Sequence, residues 1–291
     1  MPTLIEEARA KVNLTLRVLG RRIDGYHDLA SLVVFADCAD RLALEAGSEL
    51  GLVTHGADCG ETADNLVLKA ARLLAERVPG LQMGTFTLDK QLPVAAGIGG
   101  GSADAAAALR LLARLNQLDL DDSRIIDAAR FTGADVPVCV ASQSSVMTGI
   151  GEQLSSLRLP KMPCVMVNPR VPVATAEVFS ALGLRKGEIL TDVTDVVRSR
   201  RWPTEGASVE TWFKALGEAA NDLEAPAVKI QPVIGEVLST LRDIAGVRLA
   251  RMSGSGATCF ALFDSDAEAR AAGHDLQASR PHWWVHAGAL G

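Results

Sequence analysis

The sequence predicts an α+β protein of two domains. Three observations carry that expectation: a strictly alternating apolar stretch near the N-terminus, an alanine-rich helix fed by a run of glycines, and later strands and helices that mix without a regular βα repeat. The chain has 291 residues, of which 48% are hydrophobic and 22% charged, enough for a substantial core and too apolar for a disordered chain.

From Ala8 to Val18, Ala8, Ala10, Val12, Leu14, Leu16 and Val18 alternate with Arg9, Lys11, Asn13, Thr15 and Arg17, the period of a strand with one buried side. Gly20 to His27, GRRIDGYH, is a polar loop rich in turn formers. Strands are expected at Leu32 to Phe35 and Arg41 to Glu45, an amphipathic helix over Asn65 to Val78, and a strand at Thr85 to Lys90. Good helix formers then fill Ala103 to Leu115, with Ser102 as the expected N-cap. A second helix runs from about Arg124 to Phe131, capped by Ser123 and stopped by Gly133, and Val136 to Val140 and Ser145 to Met147 read as strands.

Prolines and a lysine interrupt the pattern in LRLPKMP, residues 157 to 163, which sets an expected boundary between domains of residues 1–160 and 161–291. The second half shows a strand at Cys164 to Asn168, helices at Val209 to Leu216 and Ile230 to Ala245, and strands at Val247 to Arg251, Cys259 to Leu262 and Trp284 to Ala287.

Composition narrows the function. A net charge of -6 argues against a general nucleic-acid binder and points to a small-molecule partner. Cys38, Cys59, Cys139, Cys164 and Cys259 are odd in number and never paired as Cys-x-x-Cys, so most of them read as buried apolar residues, and neither a disulfide framework nor a zinc site is suggested. The N-terminus lacks a basic region followed by an apolar run, and no stretch of about 18 apolar residues occurs, so no membrane partner is expected and a cytoplasmic location is.

The richest chemistry lies in PVAAGIGGGSADAAAAL, Pro93 to Leu109, where Gly97, Gly99, Gly100 and Gly101 precede a helix. Glycines let backbone approach a ligand closely, and the helix start offers unpaired N–H groups and a positive dipole end, which suits a phosphate. No Gly-Lys-Ser/Thr closes the loop and no Gly-x-Gly-x-x-Gly is present, so any nucleotide is bound in another kind of fold. A second glycine cluster, MSGSGATCFALF from Met252 to Phe263, is either a tight turn between strands or a second loop facing the ligand.

Lys11 and Asn13 stand on the polar face of the first strand, as solvated residues or as functional ones that need a partner. Asp135, in GADVP after a helix end, is either that partner or a turn residue. Tyr26, the only tyrosine, sits beside His27, and the pair is either a structural anchor or a means of recognising a flat ring. His282 and His286 flank an apolar Trp283-Trp284-Val285 run that reads as a C-terminal strand rather than a metal site.

In order, AKVNLTLRVLGRRIDGYH, PVAAGIGGGSADAA, GADVPV and MSGSGATCF resemble the GHMP kinase superfamily, and within it the 4-diphosphocytidyl-2-C-methyl-D-erythritol kinases of the non-mevalonate isoprenoid route. The resemblance runs from about Ala10 to Phe263. It implies a two-domain GHMP kinase fold, with an N-terminal domain like domain 2 of ribosomal protein S5 and a ferredoxin-like C-terminal domain. It also implies ATP-dependent phosphorylation of the 2-hydroxyl of the methylerythritol unit; Mg²⁺ is expected with ATP, and the sequence leaves monomer and homodimer both open.

Carried over by position, Asp135 matches the family's catalytic base and Lys11 its catalytic lysine. Pro93, Val94, Ala95, Ala96, Gly97, Ile98, Gly99, Gly100, Gly101, Ser102 and Ala103 match the ATP-phosphate loop. Asn13 matches a residue near the reacting hydroxyl, Tyr26 and His27 the cytosine-recognition loop, and Thr175 and Phe179 the segment that completes the cytidine pocket. Ser102 is also a candidate, indirect metal ligand, and the metal ligands are otherwise open. Departures from the family pattern are Ala174 for a frequent proline, Ile98 for leucine and Ala103 for serine, the last removing a hydroxyl contact to phosphate. Two rival readings are another GHMP kinase acting on mevalonate-type or homoserine-type alcohols, and a nucleotide-binding module without catalysis.

Overall fold

The structure, a computed structural model, describes residues 3–57, 65–191 and 202–291; Cys59 lies outside them. The chain forms two compact units, each assembled from separated segments: Met1–Lys11, Cys38–Val94 and Gly99–Gln143 in the first, and Val12–Asp37, Ala95–Ile98 and Ser144–Gly291 in the second. Two long strands cause this interleaving. β1 (Leu4–Arg21) and β2 (His27–Gly47) pair with each other, and each contributes one part to each unit, so a single cut at residue 160 describes the architecture differently.

In the first unit, β4 (Met83–Lys90) pairs antiparallel with the end of β2 and parallel with β3 (Gly51–Gly56). The helices α1 (Leu66–Arg77), α2 (Gly100–Asn116), α3 (Ser123–Thr132) and α4 (Val136–Ala141) pack against one another. Asn65 caps α1 by accepting from the Val67 N–H, as its position before the apolar run requires. In α2, Ala103, Ala105, Ala106, Ala107, Ala108 and Ala113 are all buried, and their small side chains let neighbouring helices come close.

The second unit contains β5 (Ser145–Gly149), antiparallel to the start of β2 and to β6 (Gln153–Ser156). It also holds β7 (Met162–Asn168), β8 (Leu249–Met252), β9 (Cys259–Leu262) and β10 (Trp284–Leu290), which pair antiparallel in the order β10-β7-β9-β8. The helices here are α5 (Thr175–Ser180), α6 (Val209–Gly217), α7 (Glu224–Ile230), α8 (Val233–Arg242) and α9 (Asp266–Ser279). Its core joins Leu16 and Val18 of β1 to Val165, Val167, Ile234, Val237 and Phe263.

Several elements correct the sequence reading. The alternating strand has two buried faces rather than one, with Lys11, Asn13 and Thr15 only 4%, 1% and 6% exposed. The segments Leu32 to Phe35 and Arg41 to Glu45 are one strand. Helix α2 starts at Gly100 with Gly99 as N-cap, which leaves Ser102 inside the first turn. Asp122, not Ser123, caps α3; its carboxylate accepts from the Arg124 N–H and holds close to the Arg124 guanidinium, which drops its pKa to about 2.

The expected strand over Val136 to Val140 is helix α4 instead. Pro137 fits the first turn of a helix, and Val136, Val138 and Cys139 are buried by packing that overrides their strand propensity. The helix expected over Ile230 to Ala245 is α8, which starts at Val233 with Pro232 at its N-cap, where the missing N–H costs nothing, and α7 before it was not expected. Cys139, Cys164 and Cys259 are buried, and burial pushes the Cys139 thiol up to about 12. Among the described residues, no helix is long and apolar enough to cross a membrane.

Candidate active site

In the first unit, Lys11 Nζ donates to Asp135 Oδ2 at 2.9 Å. Asp135 occupies the N-cap position of α4, yet its backbone is already helical and its side chain makes no capping bond, so the carboxylate is released to meet the lysine. A Cβ at Gly99 would lie 3.3 Å from both Cβ and Cε of Lys11, so the lysine stem runs directly against the glycine turn. Gly99 itself is left-handed, with φ +63°, a conformation that favours glycine.

Beyond Gly99 the backbone N–H of Ala103 is taken by the Gly99 carbonyl at 2.8 Å. The N–H groups of Gly100, Gly101 and Ser102 therefore form the open first turn of α2, and no side chain caps it. That turn has the polarity to hold an anion. Gly101 leaves the surface open, since a Cβ there would touch only Leu66, at 3.6 Å. Ala103 is buried and turned into the helix packing.

Beneath the turn lies a charged group that the sequence did not disclose. Lys90 Nζ donates to Asp104 Oδ2 at 2.7 Å and to Asp40 Oδ2, and all three side chains are buried. Asp40 Oδ1 also accepts from the N–H groups of Gln91 and Leu92, which fixes the chain entering the glycine loop. Burial raises the Asp104 pKa, opposed by Lys90 and helped by Asp40, to about 7. Burial disfavours the Lys90 charge, but the carboxylates of Asp104 and Asp40 outweigh it and hold the lysine protonated above its usual range.

In the second unit the two glycine clusters touch. Ser253 Oγ donates to the Gly97 carbonyl at 3.0 Å, and the Thr258 N–H donates to the Ala96 carbonyl at 3.0 Å. Gly97 has φ +72°, and a Cβ there would fall 2.5 Å from the Gly256 carbonyl oxygen, so only glycine fits. Ala96 and Ile98 are buried anchors, whereas Val94 is exposed, Pro93 is half-buried, and Ala95 is held left-handed at φ +52°. The second cluster is positioned by Asn221, which donates to the Met252 and Gly254 carbonyls, and by Arg251, which reaches the Leu14, Leu216 and Ala219 carbonyls.

Asn13 joins this group. Its N–H donates to Ser253 Oγ at 3.0 Å and its Nδ2 to Ser31 Oγ at 2.7 Å, while its buried Oδ1 has no hydrogen-bond partner among the described residues. Ser31, inside the apolar run LASLVVF, escaped the sequence reading; a lone hydroxyl in such a run is the signal that marks it.

Farther along this unit the His27 and Phe179 rings stack at 4.7 Å with an interplanar angle of 27°. Burial, and then the charge of Arg21, lower the His27 pKa, and its Nε2 is buried without a partner among the described residues. Tyr26 is exposed beside it, on a turn in which its N–H donates to Asp24 Oδ1. Thr175, the first residue of α5, shares a 2.9 Å hydroxyl contact with Ser255 of the second glycine cluster. His286 lies on β10 and pairs with Asp37 at 2.7 Å.

A cavity of about 820 Å³ in the second unit is lined by residues including Thr15, Ser31, Leu32, Trp202 and Asp222 and contains none of the sequence-predicted site residues. Convergent polar groups, not volume, mark the candidate site. Among the described residues, no three His, Cys, Asp or Glu are grouped to hold a metal ion.

Known proteins resemble this chain in both of its halves. The family model of the GHMP kinases N terminal domain matches residues 65–143, which include α2 and Asp135, and that of the GHMP kinases C terminal matches residues 207–282, which include the second glycine cluster. A 4-diphosphocytidyl-2-C-methyl-D-erythritol kinase of Bradyrhizobium diazoefficiens is 68% identical, over 100% of this chain and 99% of that protein. One of Rhodopseudomonas palustris is 65% identical over the full length of both. A crystal structure of a 4-(cytidine 5'-diphospho)-2C-methyl-D-erythritol kinase superposes with a TM-score of 0.78 at 34% identity, covering 99% of each chain. A homoserine kinase of Cytophaga hutchinsonii, at 17% identity and a TM-score of 0.72, shares the fold alone. With identity of this depth along its whole length, and with both halves of the α+β GHMP kinase fold present, the chain belongs to the family of 4-diphosphocytidyl-2-C-methyl-D-erythritol kinases.

Proposed function

We propose that this chain transfers the γ-phosphoryl group of ATP to the 2-hydroxyl of 4-diphosphocytidyl-2-C-methyl-D-erythritol, giving the 2-phosphate and ADP. The observation that carries the reading is the 2.9 Å pair of Lys11 and Asp135 directly against the glycine turn at Gly99. The substrate is that named in the relatives at 65% and 68% identity.

Phosphoryl transfer depends on alignment and charge stabilisation more than on covalent chemistry by the protein. In this reading Asp135 accepts the proton of the acceptor hydroxyl as its oxygen bonds to phosphorus. The bond between phosphorus and the bridging oxygen breaks, and its electron pair leaves with ADP. The Lys11 ammonium offsets negative charge on the group in transfer. The loop from Pro93 to Ala103 holds the phosphates, mainly by the backbone N–H groups of Gly100, Gly101 and Ser102.

Mg²⁺ would supply further charge neutralisation on the phosphates, and the Ser102 hydroxyl, in the first turn of α2, is the protein group offered to it. Tyr26, His27, Thr175 and Phe179 recognise the cytidine end; the aromatic face of Phe179 and the unpartnered His27 Nε2 suit a flat base with polar edges. Domains of residues 1–160 and 161–291 would contribute the catalytic pair with the phosphate loop and the completion of the substrate cleft, respectively.

Purified protein supplied with ATP, Mg²⁺ and the diphosphocytidyl substrate should release ADP in proportion to substrate consumed. Folded protein that shows no turnover in that assay overturns the reading. Competition by cytidine nucleotides separates it from kinases of mevalonate-type or homoserine-type alcohols, for which Tyr26, His27 and Phe179 have no use.

A further inference from the structure

Arg110, about three turns along α2 from the glycine turn, ties together the two elements that carry Lys11 and Asp135. Its guanidinium spreads over three acceptors. Nη1 donates to the Cys139 carbonyl of α4 at 2.8 Å, Nη2 to the Glu7 carbonyl of β1 at 2.8 Å, and Nε to Glu6 Oε2 at 3.0 Å. The Arg110 side chain is 12% exposed, and the other Glu6 oxygen is held by Arg114 Nη1 at 2.7 Å. A planar guanidinium fixes the directions of its donors, so β1 and α4 are set at one separation.

The same two elements meet a second time in the bond between Lys11 and Asp135. Glu7 lies four positions before Lys11 on β1, and Cys139 lies four positions, about one helical turn, beyond Asp135. Helix α4 has only six residues, too few to persist by itself, and the Asp135 side chain makes no capping bond. Burial of Val136, Val138 and Val140 keeps α4 on the core, but apolar contact is non-directional and does not fix how the helix slides or turns. The Arg110 bond is directional, and it satisfies a carbonyl in the last turn of α4, where a helix has no partner of its own to offer.

We propose that Arg110 is a positioning residue that sets α4 against β1 and so aims the Asp135 carboxylate at the acceptor hydroxyl, in register with the anion turn at the start of its own helix. This rests on the kinase reading above. There the carboxylate must meet the hydroxyl while the phosphates lie on α2, and Arg110 is the side chain of α2 that reaches both β1 and α4.

Arg110→Lys keeps the charge but puts a point cation where three diverging donors stood. Its kcat should fall at least about tenfold, since a misplacement of about 1 Å can cost up to about a hundredfold, while the KM for ATP and for the diphosphocytidyl substrate change less than about threefold. Arg110→Gln, whose amide can reach one carbonyl, should show the same split and takes its place if Arg110→Lys does not fold. In an Asp135→Asn background, Arg110→Lys should cost less than about twofold, because the carboxylate it aims is gone. A merely structural role would cost the same factor in both backgrounds, and that result overturns the proposal.

A readout independent of turnover is amide hydrogen exchange without ligand. The Cys139 N–H, bonded to the Asp135 carbonyl, and the Ser142 N–H, bonded to the Val138 carbonyl, should exchange at least about tenfold faster in Arg110→Lys, with α1 unchanged. Equal exchange in the folded variant, or an equal gain in α1, overturns the clamp whatever the substrate proves to be. Faster exchange in α4 alone with unchanged kcat overturns the aiming of Asp135. Absence of turnover in the wild type overturns the kinase reading and the aiming with it, and the exchange result still decides the clamp.

Discussion

Lys11 and Asp135 are 124 positions apart in the chain, and their 2.9 Å bond joins two side chains of unlike exposure. The lysine side chain is 5% exposed and the carboxylate 36%. One partner is fixed by packing and the other is open to a ligand. That asymmetry suits a carboxylate that must receive a proton and a cation that must stay in place.

Asp135→Asn keeps the shape and removes the proposed base. Turnover should fall on the order of 10³-fold. ATP affinity, measured by direct titration, should stay within about threefold. Near-normal turnover would take the base role away from Asp135.

Gly97→Ala adds a methyl group 2.5 Å from the Gly256 carbonyl at a residue with φ +72°. Gly80 has a nearly equal φ of +76° with nothing within 4 Å, so Gly80→Ala bears the backbone strain alone. Chemical denaturation should show about 1 kcal/mol lost for Gly80→Ala and roughly 2 to 4 kcal/mol for Gly97→Ala. Gly97→Ala should also weaken ATP binding, and Gly80→Ala should not. Equal losses in the two variants would mean that the contact between the glycine loops contributes nothing.

Asp104 gives the stability a pH dependence of definite sign. Its folded pKa is raised to about 7, against 3.8 for the free side chain, so the unfolded chain releases this proton first as pH rises. The contribution of Asp104 is fully present below about pH 4 and is lost as pH approaches and passes 7. Asp104→Asn, which has no proton to lose, should match the wild type at pH 4.5 to within about 2 °C and should have the higher Tm at pH 8. A Tm difference that does not change with pH would show that Asp104 has an ordinary carboxylate pKa.

Phe179→Ala removes a ring from the His27 stack at the protein surface. The KM for the cytidine-linked substrate should rise about tenfold or more, the loss expected when a base loses one aromatic platform. Inhibition by CDP should weaken by the same factor, and ATP affinity should not change. If CDP inhibition persists at full strength, Phe179 does not bear the base.

The parts of the site that were legible in the sequence owe it to local chemistry. Four glycines before a helix need no tertiary knowledge to suggest an anion turn, and alternation over Ala8 to Val18 placed Lys11 and Asn13 on one side of a strand. What alternation could not convey was the second buried face, since polar residues in a strand look the same whether they meet water or one another. Lys90, Asp40 and Asp104 were silent for a similar reason: each is an ordinary surface-type residue until folding brings them together at hydrogen-bond distance. Val136 to Val140 misled because its alternate valines favour a strand intrinsically, and only burial of Val136 and Val138 makes the helix worth forming.

The buried alanines of α2 have a consequence at the level of the gene. A single base change in an alanine codon yields valine, threonine, serine, proline, glycine, aspartate or glutamate. At Ala105, Ala106, Ala107 and Ala108, all fully buried, these respectively overfill the packing, bury an unmatched hydroxyl, break the helix, loosen it or bury a charge. Almost every amino-acid change within one mutational step of this stretch is therefore harmful. The helix behind the glycine loop should drift more slowly in sequence than its plain composition suggests, with silent third-position changes as its main freedom.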